Sequence, residues 1–90
     1  MLHAFPRGDS EPARLGLSVS RKVGGAVERN KVKRLVKEAF AAEAGKVKPG
    51  TDVVVVARAE ASDFVEAKGL DGVKVELAEL LDQAGALADA

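Results

Sequence analysis

Residues 14–20 alternate strictly, with Leu15, Leu17 and Val19 apolar and Gly16, Ser18 and Ser20 small or polar. A period of two predicts a strand with one greasy face and one that other molecules can approach closely. Gly24 and Gly25 then permit a sharp turn. Beyond them Val32, Leu35, Val36, Ala39 and Phe40 recur at helical steps, which predicts a helix from about Ala26 to Ala44. Gly45 and Pro49-Gly50 are its stop signals. Val53 to Ala57 (VVVVA) is an unbroken apolar run and predicts a central strand buried on both faces.

The flanks are less regular. Leu2 to Phe5 reads as the tail of a strand halted by Pro6, and RGDSEPA (Arg7–Ala13) reads as a turn. Two strands around such a turn predict a loose hairpin. From Ser62 the pattern is helical again: Ser62 caps a short turn, Gly69 interrupts it, and Asp71 caps a last helix. The stripe of that helix is Val73, Leu77, Leu80, Leu81, Ala84 and Leu87, with Glu76, Glu79 and Asp82 turned to water. The order strand, helix, strand predicts a βαβ crossover with parallel strands, hence an α/β (α+β) domain.

Ninety residues allow one small domain with a modest core. Phe5, Phe40 and Phe64 are the only aromatics, so Val, Leu and Ala must fill that core. The absence of Cys excludes disulfides and thiolate metal sites and fits a reducing compartment. No run approaches the roughly 18 apolar residues of a membrane span, and MLHAFPRGD has no signal-peptide pattern. A cytoplasmic location is the expectation.

The formal net charge is zero, but the charges are segregated. Residues 1–50 hold eleven Lys and Arg against five Asp and Glu; residues 51–90 hold three against nine. Such asymmetry suggests a polyanion-binding half, with mutual pairing of two solvated faces as the bland alternative. The basic residues concentrate at Arg21 and Lys22, beside the glycine turn, and at Arg29, Lys31, Lys33, Arg34 and Lys37 along the helix, with Asn30 among them. Arg grips phosphate with a planar fork and Lys acts as a point charge. Asn is a mediocre helix former that can bond sugar or base edges. Arg29, Lys33 and Lys37 step by four and are expected to face solvent with the rest. No Gly-Lys-Ser/Thr follows Gly24-Gly25, so a P-loop is excluded. His3 has no marked nucleophile or carboxylate partner, and the acidic residues lack calcium-loop spacing. No protein-borne catalytic residues and no metal ligands are expected. A general nucleic-acid-binding module and a self-associating structural domain are the alternatives to a specific RNA partner.

Arg14 to Phe40 closely resembles the bacterial ribonuclease P protein component. The match runs through Leu15-Gly16-Leu17-Ser18-Val19-Ser20-Arg21-Lys22, Val23-Gly24, Ala26-Val27, Arg29-Asn30, Lys33-Arg34 and Glu38, with Lys31 and Lys37 in place of the commoner arginines. The resemblance implies a fold like the second domain of ribosomal protein S5: three to four strands, a left-handed βαβ crossover and a C-terminal helix. It implies an RNA-binding subunit that assists a catalytic RNA in removing the 5′ leader of precursor tRNA. The chemistry would belong to that RNA and its Mg²⁺, with no cofactor bound by the protein alone. Arg21, Lys22, Arg29, Asn30, Lys31, Lys33, Arg34 and Lys37 would contact the catalytic RNA, and a central cleft would contact the leader. Relative to the family the chain starts inside the first strand. The expected consequences are a weakened leader contact, with Phe5 as a remnant of it, and self-association through the sheet face laid open.

Overall fold

A computed structural model describes residues 2–88. Strand β1 (Leu2–Pro6) is followed by β2 (Arg14–Val19), helix α1 (Ala26–Glu43), strand β3 (Thr51–Ala57) and helix α2 (Ala61–Gln83). Short 3-10 turns at Arg21–Val23 and Ala44–Lys46 flank α1. The sheet has three strands in the order β1-β3-β2. β3 runs antiparallel to β1 and parallel to β2, so β2, α1 and β3 form the expected parallel unit.

The first two strands are not a hairpin, because β3 lies between them. The valine run explains the difference. Val53, Val55 and Ala57 are at most 7% exposed, and Val54 and Val56 on the other face are half-buried. An edge position would leave those groups and their backbone in water. The same pattern corrects the expectation of burial on both faces, since only one face of β3 is fully covered. Pro6, which cannot donate to a ladder, sits at the end of an edge strand where it is tolerated.

RGDSEPA is therefore a crossing connection that passes over the start of β3. The Arg7 amide donates to the Gly50 carbonyl at 2.7 Å, and the Gly50 amide donates to the Glu11 carbonyl at 2.6 Å. Gly50 has φ of 75°, and a Cβ there would collide with the Asp9 carbonyl. Only glycine meets both demands.

One core lies on the covered side of the sheet. Leu2, Ala4, Leu15, Leu17 and Val19 pack around the inward face of β3, under Val32, Leu35, Val36, Ala39 and Phe40 of α1 and Val65, Val73, Leu77 and Leu81 of α2. α2 is two helical segments joined at Gly69, whose φ of 64° and ψ of −166° break the spiral where the sequence marks an interruption. Ala84 and Leu87 do not continue the stripe. The helix ends at Gln83, Gly85 takes φ of 70°, and the Gly85 and Ala86 amides donate to the Asp82 and Leu81 carbonyls, each at 3.0 Å. This is the left-handed glycine stop that satisfies the last helical carbonyls. Leu87 then bridges to Val47 as an isolated antiparallel pair.

Candidate nucleic-acid interface

The fold puts two different cationic clusters on opposite sides of its logic. The first belongs to the crossing connection. Arg7 has a side chain only 9% exposed. Its guanidinium donates to Asp52 Oδ1 at 2.7 Å, to both Asp9 carboxylate oxygens at 3.0 and 3.1 Å, and to the carbonyls of Thr51, Glu11 and Pro12. Arg14 Nε reaches the same Asp52 oxygen at 3.0 Å. These contacts raise the Arg7 pKa above its ordinary range. They hold the Asp52 carboxyl low, through Arg7 first and Arg14 second, and the Asp9 carboxyl low through Arg7. Each of the three Arg7 side-chain nitrogens donates to an acceptor within the protein, so this cluster closes a loop. Sequence reasoning missed it, because Arg7 and Asp52 are separated by 45 positions and no local pattern joins them.

The second cluster is α1 with the turn before it. Ser20 Oγ accepts the Lys22 amide at 3.1 Å and so caps the 3-10 turn that presents Arg21 and Lys22, both exposed. Glu28 lies across the glycine turn: a Cβ at Gly25 would meet its Oε2 at 3.2 Å. A carboxylate thus already sits near the positive end of α1, where a phosphate would also be favoured. Along the helix Asn30, Lys33, Arg34 and Lys37 are exposed. Val27, which is 78% exposed, lines a shallow groove with Asn30, Lys31 and Arg34.

Two of the expected contact residues are placed differently. Arg29 is half-buried, not fully solvent-facing. At about 100° per residue it lies only about 20° from Val36 and about 60° from Val32, on the margin of the apolar stripe. Its stem can cover apolar surface while the guanidinium reaches outward. Its Nε is buried and has no hydrogen-bond partner among the described residues. Lys31 is half-buried as well, and its Nζ meets Glu66 Oε1 of α2 at 2.7 Å. Lys33, Arg34 and Lys37 form no ion pair among the described residues.

The uncovered face of the sheet adjoins this region through β2. The register sets His3, Val54 and Gly16 in one row and Phe5, Asp52 and Arg14 in the next, with Ser18 beside Val56. Phe5 is 52% exposed there. An aromatic ring and small polar positions suit unstacked nucleotides, while the cation of that row, Arg14, is paired with Asp52. By contrast, the cavity of about 210 Å³ between α1, the end of β3 and α2 is walled largely by Val32, Val36, Val55, Phe64, Leu77 and Leu80, which do not suit a polyanion. Among the described residues no group of three or more His, Asp or Glu could hold a metal ion, and no helix is long and apolar enough to cross a membrane.

Residues 1–85 match the ribonuclease P family. The chain belongs to that family. The ribonuclease P protein component of Shouchella clausii is 47% identical over 64 residues, covering 71% of this chain and 52% of that protein. Its counterpart in Geobacillus thermodenitrificans is 37% identical over 87 residues, 97% of this chain and 69% of that one. The solved ribonuclease P protein of Thermotoga maritima superposes with a TM-score of 0.80 at 35% identity, covering 91% of this chain and 74% of that chain. The ribonuclease P relatives thus share both the mixed α+β fold and the sequence that builds it. The chain spans about half the length of the first curated relatives it matches.

Proposed function

We propose that this chain is the RNA-binding protein subunit of a cytoplasmic ribonuclease P, holding a catalytic RNA that removes the 5′ leader from precursor tRNA. The observation that supports this most is the cationic face of α1. Lys33, Arg34 and Lys37 are exposed and have no ion-pair partner among the described residues, on the segment that matches the family. Arg21 and Lys22 extend that face at one end, and Arg29, Asn30 and Lys31 complete it. Long cations free of internal partners gain more from phosphate than from water, since each contact releases condensed counterions. The bond-breaking chemistry is assigned to the RNA and its Mg²⁺. The protein supplies charge neutralisation and orientation, which lowers the Mg²⁺ that the RNA needs.

The uncovered sheet face is assigned to the leader, with Phe5 as a stacking platform and Gly16 and Ser18 as the close-approach positions. The same face, with β1 at the sheet edge, is where two copies would associate in the absence of RNA. Sedimentation across a concentration series checks this, and a monomer throughout would refute it. Reconstitution with a bacterial catalytic RNA and precursor tRNA at low Mg²⁺ tests the main reading. Stimulated cleavage at the mature 5′ end is expected. No stimulation, together with RNA binding that ignores salt, would overturn it.

A further inference from the structure

The ion pair that joins α1 to α2 among the described residues is Lys31 with Glu66. Both side chains are substantially exposed, 41% for Lys31 and 66% for Glu66. An exposed pair of this kind adds little to a fold. Its consequence for a polyanion is larger. Lys31 forms one wall of the groove with Val27, Asn30 and Arg34. A carboxylate oxygen 2.7 Å from its Nζ occupies the position and the bond length that a phosphate oxygen would take.

We propose that Glu66 is an internal competitor for RNA phosphate and sets the affinity of the α1 groove; this rests on the reading of α1 as an RNA-binding face. A phosphate that engages Lys31 must first displace Glu66, and the Glu66 charge repels the backbone until it does. Wild-type binding therefore uses one phosphate contact fewer than the number of cations suggests, or gains little from the contact it makes. An RNA that delivers a phosphate directly to Lys31 recovers the lost pair, whereas one held loosely along the helix does not. Glu66 thus favours a fitted partner over a casual one. Glu66 lies on the segment of α2 that precedes the Gly69 break, so it can yield without disturbing the buried Val73, Leu77 and Leu81 beyond it.

The test is a set of four versions of this chain: wild type, Glu66→Gln, Lys31→Gln and the double variant. Affinity for a bacterial ribonuclease P catalytic RNA is measured between 50 and 300 mM salt, with circular dichroism as the folding control. Glu66→Gln should bind roughly threefold to tenfold more tightly near 0.1 M salt, with a log–log salt slope steeper by about one contact. Lys31→Gln should lower affinity in both backgrounds, and by more in the Glu66→Gln background, where it cancels the gain. Steep wild-type binding with an unchanged or weakened Glu66→Gln would overturn the role of Glu66 alone. A folded wild type with no salt-dependent binding would overturn the RNA-binding reading and this proposal with it.

Discussion

The Arg7 cluster and the outer face of α1 both carry guanidinium groups, and the fold sets them in opposite surroundings. Arg7 is nearly enclosed, and its guanidinium donates to two carboxylates and three carbonyls. Lys33, Arg34 and Lys37 are exposed, with no acceptor among the described residues. A cation is therefore not a binding residue by type. What separates the two regions is whether the fold already supplies the acceptors. Lys31 lies between the extremes, with one acceptor that can be displaced.

The largest test of this contrast is Gly50→Ala. A Cβ would drive into the Asp9 carbonyl and force a positive φ on alanine, so the cost should be about 3 kcal/mol or more in urea unfolding. Arg7→Ala should also lower the urea midpoint, while the fraction that remains folded keeps its RNA affinity. Neutralising Lys33, Arg34 and Lys37 together to Gln should do the reverse. RNA affinity near 0.1 M salt should fall by about a hundredfold or more with a shallower salt slope, at an unchanged midpoint. A loss of stability in that triple variant, or of RNA affinity in folded Arg7→Ala, would erase the distinction.

Acid should act on the first region. The folded pKa values of Asp9 and Asp52 lie below the ordinary 3.8, so the unfolded chain binds protons more readily. Their stabilisation is complete above about pH 4 and is lost as pH falls below it. Urea midpoints at pH 7, 4 and 3 should trace this decline, and Arg7→Gln should flatten it. The smallest expected effect is Ser20→Ala, which removes the cap on the turn holding Arg21 and Lys22. It should cost about 0.5–1 kcal/mol and weaken RNA binding only slightly; a large loss of affinity would make that corner more important than the helix.

Most of the elements were legible because periodicity is local. The alternation of Leu15, Leu17 and Val19, the stripe from Val32 to Phe40 and the break at Gly69 all appear in the structure where spacing places them. The failures concern partners. Pairing β1 with β2 was wrong because sheet order depends on which strand most needs covering. Arg29 was misplaced because stepping by four keeps residues near one face without saying that the face is free of apolar neighbours.

By itself, the sequence determined the elements, the segregation of charge and the family, since each resides in short stretches whose side-chain order is enough to read. Only the tertiary structure decided which charges are occupied. It placed Asp52 against Arg7, Glu66 against Lys31 and, among the described residues, no carboxylate against Lys33, Arg34 and Lys37. Those assignments depend on distances between residues 35 or more positions apart, which packing sets and sequence spacing does not encode.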